Sequence, residues 1–237
     1  MILTKTMNRL QAEQQRLFPA VDDAGAVRAL VLEVAGPAPW DQLAAVWQGV
    51  QADLELPAPA IAVSGGDAYQ LWFPLAQALP AAQAVRFLAL LRQRYLAGSP
   101  RHRITTVPGE GQQARAVPPF AAAPGRWSAF VTPDLASLFS DEPSLDMPPG
   151  DEAQADLLSR IQCIPPADLQ RAMALLDAPA APAPQASAAP PATSSRSEAH
   201  EHPQDPRRFL LSVMNDPAVD LHLRIEAARA LLPFTQN

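Results

Sequence analysis

The sequence predicts an α+β fold: a βαββα core with additional helices after it, then a disordered Pro/Ala linker and a small helical-hairpin tail. Three observations predict it. Ala26 to Ala35 (AVRALVLEVA) is a mostly apolar run ended by Gly36 and Pro37, the signature of a buried strand. Two short apolar runs flank Gly65-Gly66-Asp67, a combination that supplies positive φ cheaply and so predicts a hairpin. Residues 178–204 are rich in Pro, Ala and Ser and hold no large apolar side chain that could offset the entropy of ordering. The chain therefore divides into an N-terminal helical segment (1–25), a body (26–177), a linker (178–204) and a tail (205–237).

Within the body, Trp40 to Leu54 places Leu43, Val46, Trp47 and Val50 at helical spacing. The hairpin pairs Ala60–Ser64 with Ala68–Leu75. On its second strand Tyr69, Leu71 and Phe73 share one face, and Gln70 and Trp72 the other. After Pro80, Ala84, Leu88, Leu91 and Tyr95 form a helical stripe that stops just before Gly98. Ile104–Val107 and Trp127–Val131 predict two further strands. Thr132-Pro133 opens a helix over Asp134–Phe139, with the threonine as cap. Helices over about Asp151–Cys163 and Pro166–Leu176 close the body.

Composition narrows the chemistry. The 237 residues are 48% apolar, enough for one well-buried core. No apolar run reaches the roughly 18 to 20 residues that span a bilayer, and the first eighteen residues are too polar for a secretory signal, so the expectation is a cytoplasmic protein with no membrane partner. Cys163 is the only cysteine, so neither a disulfide nor a cysteine zinc cage supports the fold. The net charge of −6 argues against a generally cationic binder. It conceals segregation, however: Arg86, Arg92, Arg94, Arg101, Arg103, Arg115 and Arg126 cluster over 86–126, whereas 127–159 carries seven acids and no base. These stretches either attract each other within the fold or stay solvated, or the basic one meets a polyanion.

There is no G-x-S-x-G elbow, Walker phosphate loop or H-E-x-x-H helix. His200 and His202 fall in the linker, and Ser64 lacks a neighbouring histidine to act as base. No cofactor or metal is expected. The order of a carboxylate-bearing strand, a helix, a Ser-Gly-Gly hairpin into Tyr69-Gln70-Leu71-Trp72-Phe73, a long helix and then Val107-Pro108-Gly109 resembles the catalytic core of the archaeo-eukaryotic primase (primase-polymerase) superfamily. The resemblance spans roughly residues 26–110. It implies a primase-like fold and a site on the first strand and the hairpin. In that family two aspartates two residues apart on the first strand hold divalent metals, since i and i+2 project to one face. The hairpin strand carries a histidine, and a further aspartate follows the long helix.

This sequence departs at all three places. Glu33 and Ala35 stand at the aspartate positions, Gln70 at the histidine, and Arg101-His102-Arg103 where the third aspartate belongs. One carboxylate is a poor magnesium site, and glutamine can hydrogen-bond a phosphate but brings no positive charge. The resemblance thus implies a scaffold with a degenerate active site that keeps a groove for nucleic acid. Tyr69 and Trp72 would stack on a single strand, and Arg92, Arg94, Arg101 and Arg103 would neutralise it.

The tail, Asp205 to Pro217 and Leu223 to Phe234, is similar to a helical segment of phage terminase small-subunit-like proteins. It reads as two short helices whose Phe209, Val213, Leu231 and Phe234 offer an apolar surface to a protein partner. The leading expectation is therefore a non-catalytic, nucleic-acid-associated protein of phage or mobile-element origin. One rival is an active metal-dependent nucleotidyltransferase (primase or polymerase) drawing ligands from Glu33, Asp22, Asp23 or Asp41. The other is a structural or adaptor protein acting through its C-terminal helices.

Overall fold

A computed structural model describes residues 7–19, 26–36, 39–109 and 114–178. The chain divides into two units, 1–183 and 184–237, and every described residue belongs to the first. The readings of the linker beyond Ala178 and of the tail, with Phe209, Val213, Leu231 and Phe234, fall outside the described residues, as do Asp22 and Asp23.

The described residues form an α+β domain. Its order is α1 (Arg9–Leu17), β1 (Ala26–Ala35), α2 (Pro39–Ala52), β2 (Ala60–Val63), β3 (Ala68–Pro80), α3 (Ala81–Tyr95), β4 (Ile104–Val107), β5 (Ala121–Ala123), β6 (Arg126–Trp127), β7 (Ala129–Val131), α4 (Pro133–Ala136), α5 (Asp151–Ser159) and α6 (Pro166–Asp177). The expected βαββα order is present. Five strands pair antiparallel in the order β4-β1-β3-β2-β7, while β5 and β6 form a separate ribbon.

The near-continuous apolar character of β1, β2 and the first part of β3 has one physical meaning: both faces of the sheet are covered. On one face Leu30, Leu32, Val34, Ile61, Val63, Tyr69, Leu71 and Phe73 pack against Leu43, Val46 and Val50 of α2, Phe87, Leu88 and Leu91 of α3, and Leu169 and Ala172 of α6. On the other, Val31, Ala60, Ala62, Trp72, Val107 and Phe130 meet Leu10 and Leu17 of α1, Phe18, and Ala155 and Leu158 of α5. Phe18, Trp72 and Phe130 form an aromatic knot there, with ring centroids 5.0 to 6.0 Å apart. A capping box opens α1: Asn8 Oδ1 accepts from the Gln11 amide and Gln11 Oε1 from the Asn8 amide.

Several elements differ from expectation. The single strand expected over Trp127–Val131 is broken at Ser128 into β6, which pairs with β5, and β7, which joins the main sheet. β3 runs five residues past Leu75, through a register shift opposite Val27–Ala29. Pro74 is tolerated there because β2 pairs no further than Trp72, and the chain instead bonds Ile164: Ile164 N–H donates to Pro74 O at 2.8 Å and Ala76 N–H to Ile164 O at 3.0 Å. That pairing also draws the chain out of helix after Ser159, four residues before the expected end at Cys163. The Thr132 hydroxyl makes no cap; its carbonyl accepts from Leu135 and Ala136, and the short α4 gives way to a 3-10 turn over Ser137–Phe139.

The segregated charges answer each other at one place among the described residues. Arg9 of α1, not the 86–126 arginines, pairs with Glu152 and Asp156, and Arg86 pairs with Asp177. Arg126 and Glu142, 3.8 Å apart, form the one ion pair between the two stretches among the described residues. No helix among the described residues is long and apolar enough to cross a membrane.

β7 ends the sheet on one side, and its middle residue turns its peptide groups outward. Gln154 of α5 takes both: Phe130 N–H donates to Oε1 at 2.8 Å and Nε2 donates to Phe130 O at 3.0 Å, all of it buried. Gln154→Ala strands two buried peptide groups, so unfolding in urea should show about 2 kcal/mol less stability at an unchanged denaturant slope. A change within experimental error would mean that water replaces the amide.

Candidate functional site

Glu33 projects from β1 to the face covered by α1, directly opposite Gln70 of β3 and Thr105 of β4. Facing side chains on adjacent strands stand close enough to touch. Gln70 Nε2 accordingly donates to Glu33 Oε2 at 2.6 Å, and Gln70 Oε1 accepts from Trp72 Nε1 at 2.8 Å. The third partner of Glu33 comes from the irregular segment after β4: the Arg115 guanidinium pairs with the same Oε2. Glu33 is 7% exposed and Gln70 fully buried.

A carboxylate in the floor of an apolar sheet is costly unless it is paired and hydrogen-bonded, and Arg115 and Gln70 meet both needs. They also fix each other. Reversing the Gln70 amide would set its oxygen against the carboxylate and its NH2 against the indole N–H, so only one orientation is satisfied. Gln70 is thus engaged at both ends of its amide and closed off from solvent.

Glu33 and Arg115 line a cleft of about 600 Å³ with Ser64, Gly66, Asp67 and Phe120 among its other walls. A second, mostly apolar cavity of about 470 Å³, lined by Val27, Val31, Trp72, Val107 and Val117 among others, also has Arg115 in its wall. Ser64 Oγ accepts from Gly66 N–H at 3.0 Å and Ala68 N–H at 3.1 Å, so it braces the hairpin turn. Gly65, at φ +76°, lets that turn approach Ser128, whose amide nitrogen would lie 2.9 Å from an added Cβ.

The other predicted residues fall elsewhere. Tyr69 and Trp72 are 0% and 2% exposed: Tyr69 lies in the helix-covered core with its hydroxyl on Ala136 O, and Trp72 in the aromatic knot. Neither presents a ring to a nucleic-acid base, which corrects the expectation of stacking. Arg103 does not join Glu33 and Gln70. Its Nε donates to Ala35 O at 2.6 Å, across Gly36, whose φ of +90° and missing side chain leave room for the guanidinium. Ala35, two residues on from Glu33, has no carboxylate to add. Arg92 is half-buried and Arg94 exposed in the last turn of α3, and Arg101 is exposed on the turn before β4. Arg92 and Arg101 line a separate concavity of about 480 Å³.

Arg115 and Asp67 are the cleft residues that sequence reasoning passed over. A lone acid inside an apolar strand signals that a cation must meet it, but nothing local says which of seven arginines does so. Asp67 is exposed on the hairpin turn, and Asp41 sits exposed in the first turn of α2, outside the cleft. Among the described residues, no three His, Cys, Asp or Glu side chains gather to hold a metal. Comparison with known proteins finds no matching protein family, curated protein or solved structure.

Arg115→Ala leaves Glu33 without its counter-charge. We expect about 2 kcal/mol lower stability, less than for a fully enclosed pair because Arg115 is 27% exposed, and recovery of most of the loss in Arg115→Ala with Glu33→Gln. Equal, additive losses in the single and double variants would show that the pair is not coupled.

The two tyrosines provide a pH test. Burial pushes the Tyr69 phenol well above its ordinary range of about 10, and burial followed by the hydrogen bond to Asp53 pushes Tyr95 up to about 12. The folded state then holds protons that the unfolded chain gives up, so the tyrosines' contribution to stability is level below pH 10 and falls as pH rises from 10 towards 12. Absorbance titration should detect no phenolate near pH 10 while the chain stays folded. A Tyr69 phenol ionising at its ordinary value would place that ring in water.

Proposed function

We propose that this is a non-catalytic, nucleic-acid-associated protein of phage or mobile-element origin. In this reading its body is a primase-like domain with a degenerate active site, and residues 205–237 engage a protein partner through Phe209, Val213, Leu231 and Phe234. The protein acts in the cytoplasm and needs no cofactor. The observation that carries the reading is the Arg115–Glu33–Gln70 arrangement. The one acid at the position where the resemblance expects metal ligands is already neutralised by an arginine and hydrogen-bonded by an amide, and Ala35, two residues on, has no carboxylate.

The rival, metal-dependent nucleotidyl transfer, requires Arg115 to leave Glu33 and a second carboxylate to join it; among the described residues the other acid lining the cleft is Asp67. Support for nucleic acid comes from the C-terminal end of α3, where Arg92, Arg94 and Arg101 concentrate positive charge without a paired acid among the described residues.

Two measurements test this. Labelled strands titrated at several salt concentrations should bind at low salt and weaken steeply as salt rises. Primer extension with manganese should be absent from both the natural protein and Glu33→Gln. Extension that Glu33→Gln abolishes would overturn the non-catalytic reading; failure to bind any strand at low salt would overturn the nucleic-acid part.

A further inference from the structure

We infer that the concavity at the C-terminal end of α3 is a phosphate seat that grips the nucleic-acid backbone without reading bases, so that paired and unpaired strands are held alike. The inference rests on the nucleic-acid reading above and gives it a location and a mode.

Four observations lead to it. The first is the fate of the arginines. Arg9, Arg16, Arg86, Arg115, Arg126 and Arg171 are each in an ion pair, and Arg103 is spent on the Ala35 carbonyl. Arg92 and Arg101, by contrast, make no side-chain hydrogen bond or ion pair among the described residues, and both line the same hollow of about 480 Å³. Second, no carboxylate lines that hollow; its other polar walls are Gln93 and Ser99. The carbonyl end of α3 opposes an anion with roughly half a unit of negative charge, against two whole positive charges. Part of that end is already satisfied, since Leu96 N–H donates to Arg92 O at 2.9 Å and Ser99 N–H to Leu96 O at 3.0 Å.

Third, the loop carrying Arg101 is pinned before any ligand arrives. Ser99 Oγ donates to Gln42 Oε1 of α2 at 2.7 Å, and Arg103 ties the far end to β1, so the guanidinium is presented from a fixed frame. Fourth, the lining contains no aromatic ring; its apolar walls are Ala89, Leu96 and Ala97, and the hairpin aromatics Tyr69 and Trp72 are buried elsewhere. Guanidinium forks suit phosphate oxygens bidentately, and a site without a stacking platform has little means of preferring unpaired bases.

The test is fluorescence anisotropy of the full chain with labelled single and double strands of one sequence, over a salt series, with inorganic polyphosphate as a separate probe. Arg101→Gln and Arg92→Gln are compared with the natural protein, folding being checked by circular dichroism. Because Arg101 is exposed, its variant remains informative should Arg92→Gln fold poorly. We expect similar affinity for both strand types, an affinity loss of about tenfold in each variant, and a salt dependence shallower by about one unit per arginine removed. Strand binding that ignores both substitutions, or strongly prefers the single strand, would overturn the inference and leave the nucleic-acid reading standing. Substitution-sensitive binding of polyphosphate with no strand bound would overturn both, since the hollow would then serve a small polyanion.

Discussion

The ion pair between Glu33 and Arg115 is the constraint around which the α1-side face of the sheet is arranged. A charged oxygen on the central part of β1 can stay there only if a cation reaches it, and that cation must come from outside the sheet, because the neighbouring strand positions on this face are Gln70 and Thr105. Arg115 therefore ties the irregular chain after β4 to the sheet. Further along the same segment, Gln14 Nε2 of α1 donates to Pro118 O at 2.7 Å, and the Phe120 amide donates to Ser128 Oγ at 2.8 Å. One buried acid in this way dictates where a stretch without secondary structure of its own must lie.

The same pair sets the Glu33 cleft apart from the basic concavity at the end of α3. Metal-assisted transfer needs carboxylates free to point at an ion, and Glu33 is turned towards a guanidinium. Positive charge without such a partner is found instead at the end of α3, on a different set of residues from those lining the Glu33 cleft. On the proposed reading, the degenerate positions at Glu33 and Gln70 and the basic surface at the end of α3 occupy separate elements, so either could change without the other.

Much of the fold was legible from local pattern. β1 has the predicted ends, since Gly36 with Pro37 punctuates an apolar run, and the hairpin and α3 follow from Gly65-Gly66-Asp67 and the stripe ended near Gly98. Alternation correctly separated Tyr69, Leu71 and Phe73 from Gln70 and Trp72. It erred over what each face meets: period two tells which side chains share a side, not whether that side is dry. The clue was the near-continuous apolar character of β1 and the first part of β3, broken on the α1 side by Glu33 and Gln70, which already called for two covers. The cross-strand meeting of Glu33 and Gln70 could be anticipated from strand order, whereas Arg115 could not, because a residue placed by an irregular segment leaves no periodic trace. Ile164 escaped notice for the same reason; its pairing with Pro74 links residues ninety positions apart.

The side-chain bracket that Gln154 places on Phe130 has a consequence for how copies of this chain meet. An outermost strand normally offers a ladder of free peptide groups onto which another molecule can grow, the first step towards fibrils. Here the middle rung on the β7 side is occupied by a glutamine imitating a neighbouring backbone. On the opposite flank β4 is only four residues long and runs into Pro108, which has no N–H to give. Neither flank of the sheet thus leaves a long open ladder onto which a second copy could add its own strand.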